Sequence, residues 1–147
     1  MLKYTCNILK AIYDRMHDCY KWNAFKRICR LGKNEWGFVC PAGIGDTYFI
    51  CGFAEEFMAK HGGTTFVAVV RKSHEEIPKL FTSITRTVAV EDIPINALRK
   101  FPGFTKGQPI YGHFGDAYIV NLLGVKGIHL LDLYRAFLQL PSTSNLS

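Results

Sequence analysis

The feature that most constrains the fold is a strand, a loop, a helix and a second strand in succession between residues 36 and 70. Two apolar runs, residues 36–40 (WGFVC) and residues 65–70 (TFVAVV), are typical of strands buried in a parallel sheet. A glycine-bearing turn at residues 41–47 follows the first strand. Phenylalanine then recurs at every fourth position: Phe49, Phe53 and Phe57. This spacing predicts one amphipathic helix, and Gly62-Gly63 would end it.

The same alternation continues along the rest of the chain. Ser73 is predicted to cap a short helix that carries Glu75 and Glu76 in its first turn. The remaining predictions are helices at residues 2–31, 95–101 and 130–138 and strands at residues 85–90 and 109–111. Strands that alternate with helices predict the α/β class, with a Rossmann-like open parallel sheet flanked by helices.

The length and the distribution of charge predict how the chain is divided into segments. Its 147 residues suit one domain, and its composition, with 48% hydrophobic and 20% charged residues, excludes intrinsic disorder. The net charge of +6 is concentrated at the amino terminus, because residues 1–35 hold eight basic and three acidic side chains. We therefore predict a basic helical arm at residues 1–34, a nearly neutral Rossmann-like domain at residues 35–141, and a linker or frayed tail at residues 142–147.

The basic arm mixes lysine and arginine with tyrosine, tryptophan and phenylalanine. Such a helix can lie on an anionic membrane surface, which predicts peripheral membrane contact through residues 1–33. Packing against the sheet, or against a second domain, is the alternative. Nucleic acid is not an expected partner, because the chain carries no helix-turn-helix, zinc or RNA-recognition signature.

The cysteines and the hydropathy predict a cytoplasmic protein, with at most a peripheral position on the inner face of the membrane. The five cysteines form no CxxC pair and match no zinc-binding spacing: Cys6, Cys19, Cys29, Cys40 and Cys51. No run approaches the roughly 20 apolar residues of a membrane span. The amino terminus lacks the apolar core of a secretory signal.

The turn after the first predicted strand is the first candidate site. Gly43 and Gly45 would let the chain turn sharply and let a ligand approach the backbone at a helix amino terminus. Asp46, beside Thr47, disfavours a bound phosphate, since two negative charges would compete for one helix end. The carboxylate of Asp46 is therefore either a helix cap or a base that faces the cleft.

Polar side chains also follow the second and fourth predicted strands. Arg71 and His74 come after the second strand, and His113 and Asp116 come after the fourth. Because the carboxyl ends of parallel strands share one edge of the sheet, these residues are predicted to line the same cleft as Asp46. The alternative is that they are ordinary solvated loop residues.

Two segments of the sequence resemble a known family. The run FVCPAGIGDTYFICGFAEEFMAKHGG, followed by TTFVAVV, resembles the start of the heptosyltransferase-like glycosyltransferases (family 9 and relatives). The closing run HLLDLYRAFLQLP is similar to an Asp-Xaa-Tyr-Arg segment ahead of Leu-Gly-Leu-Pro in relatives of that family, with Gln139 in place of the glycine. The resemblance spans roughly residues 36–141.

The resemblance implies a function. Family members have the two-domain GT-B fold, in which the amino-terminal domain binds the acceptor and the aspartate of the Gly-Asp motif is the catalytic base. It implies that Asp46 is this base and that the chain is the acceptor half, for a glycan or lipid-linked acceptor. Pro41 and Ala42 stand where heptosyltransferases often have serine or threonine, which leaves the acceptor open.

The resemblance also implies that a complete enzyme needs a second domain in addition to these 147 residues. The nucleotide-sugar donor of such enzymes binds mainly to a second domain, so we expect the 147-residue chain alone to be inactive. Inverting transfer needs no covalent intermediate, and no Asp-Xaa-Asp pair suggests a metal, so no cofactor is expected. The alternatives are a non-catalytic Rossmann-like module that binds nucleotide, phosphate or a protein, and a basic adaptor whose arm contacts a membrane.

Overall fold

All four predicted strands join one parallel sheet. The computed structural model describes residues 1–41, 43–101, 103–111 and 130–142. The strands are β1 (Trp36–Cys40), β2 (Phe66–Arg71), β3 (Arg86–Val90) and β4 (Pro109–Tyr111). Their order is β3-β2-β1-β4, and every neighbouring pair is parallel. The predicted α/β class with a parallel sheet is confirmed, and this strand order is consistent with a Rossmann-like arrangement.

The helices cover both faces of the sheet. They are α1 (Leu2–Cys29), α2 (Ile44–Gly52), α3 (Ala54–His61), α4 (Ile95–Lys100) and α5 (Leu130–Phe137). Since side chains alternate along a strand, Phe38 and Phe66 pack with α2, α3 and α5 on one face. Val39 and Val67 pack with α4 and the end of α1 on the other face.

The first helix is continuous and has two different halves. Residues 1–17 are exposed, whereas Trp22, Phe25 and Cys29 are buried against the sheet. The chain leaves the helix at Arg30, which has a left-handed backbone conformation with φ of 48°, rather than at the predicted stop Gly32.

A network of polar groups supports this unusual end of α1. Arg86 Nη2 donates hydrogen bonds to the carbonyl oxygen of Arg30 (3.1 Å) and to Glu35 Oε2 (2.7 Å). Glu35 Oε2 also accepts the backbone N–H of Gly32 (2.8 Å). The Gly32 N–H first, and then Arg86, lower the pKa of the Glu35 carboxyl.

Two sequence predictions are wrong in detail. The single helix predicted across Phe49, Phe53 and Phe57 is divided into α2 and α3 at Phe53. Gly52, a weak helix former, ends α2 immediately before the break. The helix predicted after Ser73 is replaced by two 3₁₀ turns, Lys72–His74 and Pro78–Leu80, and Ser73 caps neither. Pro78 has no N–H with which to continue an α-helix started at Ser73.

Candidate functional site

The Gly-Asp turn lies where the order of strands changes direction. The chain passes from β1 to β2 and β3 on one side, and then returns to place β4 on the other side of β1. In open α/β sheets, ligands bind in the crevice beyond the carboxyl ends of the strands at such a switch point. The turn between Cys40 and Ile44 leaves β1 at this position.

Asp46 closes the amino terminus of α2. It is the third residue of the helix, and its Oδ2 accepts the backbone N–H of Gly43 at 3.2 Å. Thr47 is fully buried, and its hydroxyl donates to the carbonyl oxygen of Gly43 at 3.1 Å. The helix-cap interpretation of Asp46 is therefore confirmed, and the half-buried carboxylate is fixed in orientation.

A second group reaches Asp46 from the far end of the chain. The hydroxyl of Tyr134, on α5, donates a hydrogen bond to Asp46 Oδ1. Tyr134 is 1% exposed, and its ring packs on Phe49 with 5.3 Å between ring centres. The two residues are 88 positions apart, so no local spacing could have revealed the contact. This bond joins the two sequence segments that carry the resemblance.

The two glycines of the turn leave space above the backbone. Gly43 and Gly45 are exposed, and a methyl group added at either would meet no described atom within 4 Å. Gly43 has φ of −76°, which any residue can adopt, so its role is not to permit a sharp turn as the sequence suggested. What the glycines supply is an open approach to the start of α2.

Arg71 lies beside the turn. It is the last residue of β2, and its Nε donates to the carbonyl oxygen of Pro41 at 3.2 Å. This bond brings the half-buried guanidinium to the end of β1. The contact places Arg71 at Pro41, two residues before Gly43, and the shared cleft with residues 43–47 stays a prediction.

The other predicted site residues are not joined to this group. His74 lies in the 3₁₀ turn after β2, and its Nδ1 is buried without a hydrogen-bond partner in the described part of the chain. No described hydrogen bond or ion pair connects His74 to Asp46. His113 and Asp116 lie outside the described residues.

A pair of buried thiols lies beneath the turn. Cys40 and Cys51 are both fully buried and are both free thiols. A hydrogen bond with Cys51, followed by burial and the nearby charge of Asp46, holds the pKa of Cys40 well above its usual range. Cys40 is therefore a neutral thiol at physiological pH and is unsuited to nucleophilic catalysis.

An ion pair fixes α5, the helix that carries Tyr134, to α3. Arg135 is 5% exposed, and its Nη1 donates to Glu56 Oε2 at 2.7 Å while its Nη2 donates to Glu56 Oε1. The hydrogen bond from Arg135 lowers the pKa of Glu56. This two-pronged contact holds α5 in the position from which Tyr134 reaches Asp46.

A cleft of about 490 Å³ lies elsewhere, where α1 departs from α4. Asp14, Asp18, Asn96 and Lys100 are among its lining residues. Lys100 forms an ion pair with Asp18 across the cleft. Its charges therefore compensate one another, and we place the candidate site at the Gly-Asp turn, where two exposed glycines adjoin a carboxylate of fixed orientation.

Comparisons of the chain with protein-family models, with curated proteins and with solved structures find no match.

Proposed function

We propose that this chain is the acceptor-binding domain of a GT-B glycosyltransferase related to the heptosyltransferases, with Asp46 as the catalytic base. The observation that carries the proposal is the placement of the Asp46 carboxylate. It is held just beyond the carboxyl end of β1, at the switch point of the sheet, in the same turn as the exposed Gly43 and Gly45.

The chemistry follows from the lone pairs of the carboxylate. Each carboxylate oxygen can accept two hydrogen bonds, and the described bonds from Gly43 and Tyr134 use one on each oxygen. The remaining lone pairs can accept the proton of an acceptor hydroxyl as its oxygen attacks the anomeric carbon of the donor sugar. The bonds from Tyr134 and Gly43 fix the orientation of the base.

The surroundings of the turn suit a hydroxyl-rich acceptor. Ile44 and Tyr48 are 65% and 48% exposed beside the turn, and the Tyr48 ring packs edge-on against Phe81. Such a rim combines apolar surface with a hydroxyl group, which suits the mixed surface of a sugar. Arg71, at the end of β2, adds a positive charge for an anionic group on the acceptor.

The rest of the proposal concerns groups outside these 147 residues. A second domain or a partner chain would bind the nucleotide-sugar donor, and the acceptor would be a glycan or a lipid-linked glycan. The reaction would take place in the cytoplasm, at or near the inner face of the membrane.

The binding step can be tested on the chain as it stands. Amide resonances of the ¹⁵N-labelled protein would be followed during titration with a panel of mono- and oligosaccharides. We expect selective shifts at Gly43, Gly45 and Asp46. Shifts confined to the cleft between α1 and α4, or no shifts with any saccharide, would contradict the placement of the site.

The catalytic role can be tested only in the presence of the domain that binds the donor. The test is a transfer assay on this chain together with that domain, either joined in one protein or combined as two chains. Asp46→Asn removes the base but keeps oxygen and nitrogen atoms of similar size. We expect transfer to fall by a factor of about 10²–10⁴, the usual contribution of a general base, with acceptor binding retained. Asp92→Asn, at an exposed acid outside the site, is the matched control. Equal transfer by both variants would exclude Asp46 as the base.

A non-catalytic binding module is the second candidate, because both oxygens of Asp46 already serve the protein's own hydrogen bonds. The same variant separates the two functions. If the helix terminus binds a nucleotide or phosphate, Asp46→Asn removes a repelling charge and strengthens binding of ATP or inorganic phosphate. If Asp46 is a base, the variant leaves such binding unchanged and lowers transfer by the factor given above.

A further inference from the structure

The amino-terminal part of α1 carries an apolar face that the described part of the domain does not cover. Five large side chains form this outer apolar face: Leu2, Leu9, Ile12, Met16 and Tyr20. Each is between 52% and 85% exposed. Their spacing of three, four and seven residues places them in one stripe along the helix. None of them contributes to the core.

The outer apolar face points away from the sheet. The helix is continuous from Leu2 to Cys29, so directions around it can be compared at about 100° per residue. By that spacing, the buried side chains of Trp22, Phe25 and Cys29 lie on the side nearly opposite the stripe. The rest of the described domain packs on that buried side, through the sheet and α4.

Basic side chains border the outer apolar face on both sides. Lys3, Lys10 and Lys21 lie along one border. Arg15 lies along the other. The acidic residues of the helix, Asp14 and Asp18, lie on the domain side, where Asp18 pairs with Lys100. Every acidic group of α1 is thus turned away from whatever meets the stripe.

This distribution of charge identifies the occupant. We propose that residues 1–21 lie flat on an anionic lipid surface, with the outer apolar face inserted at the headgroup level and the four bordering cations paired with lipid phosphates. Long basic side chains can extend from both borders while their stems cover the apolar edge. A second copy of the chain suits the face less well, because pairing two such stripes would bring like-charged borders together.

The membrane proposal is separate from the proposed reaction, since it rests on α1 and not on Asp46. Among the described residues no helix is both long enough and apolar enough to cross a bilayer.

Vesicle co-sedimentation of the full 147-residue chain tests the proposal. We expect binding to phosphatidylcholine vesicles that contain phosphatidylglycerol, weaker binding to pure phosphatidylcholine, and a decrease with added salt. Leu9→Gln with Ile12→Gln should lower binding to the anionic vesicles by about 10-fold or more. The control for the single variant Leu9→Gln is Leu80→Gln, because Leu80 is an exposed leucine outside α1. The Leu80→Gln variant should bind vesicles as the wild type does.

A second pair of variants tests the charged borders. Lys3→Gln with Lys10→Gln should weaken binding to anionic vesicles by about 10-fold or more. Lys72→Gln with Lys79→Gln removes the same charge from exposed positions elsewhere and should have little effect. All these side chains are exposed, so circular dichroism and thermal unfolding should match the wild type.

Three results would overturn the proposal. The first is a wild-type chain that does not sediment with anionic vesicles, and the second is equal binding by the Leu9→Gln/Ile12→Gln variant. The third is a concentration-dependent dimer that this variant disrupts while vesicle binding is absent, which would assign the face to a second copy. We expect the Asp46→Asn variant to bind vesicles as the wild type does, whatever its effect on transfer. The two proposals can therefore fail independently.

Discussion

Asp46 accepts hydrogen bonds from two parts of the chain, and the two bonds have different structural roles. The Gly43 N–H bond is local and completes the start of α2. The Tyr134 bond is long-range and fastens α5 to the turn. A carboxylate held from both sides keeps one orientation, which suits either a base or a structural link between two segments. The Tyr134 contribution can be isolated by removing a single oxygen atom.

Tyr134→Phe removes the hydroxyl and leaves the buried ring in place. We expect a loss of about 1.5–3 kcal/mol in the free energy of unfolding, because a hydrogen bond to a carboxylate is lost. The measurement is urea denaturation of the wild type, of Tyr134→Phe, of Asp46→Ala and of the double variant. The cost of Tyr134→Phe should be smaller in the Asp46→Ala background. Equal costs in both backgrounds would show that the two side chains are not coupled.

At the scale of the elements, the connection between α1 and β1 depends on a missing side chain. Gly37 is the second residue of β1, and a methyl group added there would be 2.4 Å and 2.7 Å from the two Cδ atoms of Leu31. Leu31 therefore occupies the space that a side chain at position 37 would need. The glycine lets the segment after α1 pack directly on the strand.

Gly37→Ala should lower the free energy of unfolding by about 1–3 kcal/mol through this overlap. Leu31→Ala makes room for the new methyl group, so the double variant Leu31→Ala/Gly37→Ala should be less destabilised than the sum of the two single changes. Chemical denaturation of the three variants measures this. Strict additivity would mean that the backbone moves and that Leu31 does not hold the space.

The elements show how far the sequence predicts this fold. All four strands were predicted to within one residue, because buried apolar runs between glycine-bearing turns have few other interpretations. The break at Phe53 was missed, since α2 and α3 face the same side of the sheet and the apolar repeat continues across it. The end of α1 at Arg30 was also missed. Arg86, 56 residues further along, binds the Arg30 carbonyl and supports a backbone conformation that a local pattern assigns to glycine.

For the candidate site, as for the fold, the local features were predictable from the sequence and the long-range contacts were not. The position of the Gly-Asp turn follows from the strand before it and the helix after it, and its cap geometry follows from Asp46 alone. The partner of Asp46 could not be found in this way, because Tyr134 reaches it only when α5 packs on the sheet. Tyr134 is buried, and burial does not by itself specify a hydrogen-bond partner.

At the scale of the whole molecule, two ionised glutamates tie together elements that are distant in sequence. Glu35 joins the end of α1 to β3 through Arg86, and Glu56 joins α3 to α5 through Arg135. In the folded protein both carboxyl groups have a lowered pKa. Each therefore binds its proton less readily in the folded chain than in the unfolded chain, where a glutamate has a pKa of about 4.3.

The sign of the pH dependence follows from this difference. The stabilisation from both glutamates is complete above the unfolded pKa and is lost as the pH falls through the folded pKa. We expect the free energy of unfolding, measured by urea denaturation, to fall from about pH 5 downward. Glu35→Gln with Glu56→Gln should be less stable near neutral pH and should show a shallower decline on acidification. Glu55→Gln with Glu91→Gln, at exposed positions, should keep the wild-type slope. Parallel curves for the wild type and the Glu35→Gln/Glu56→Gln variant would show that these two ion pairs do not couple the fold to pH.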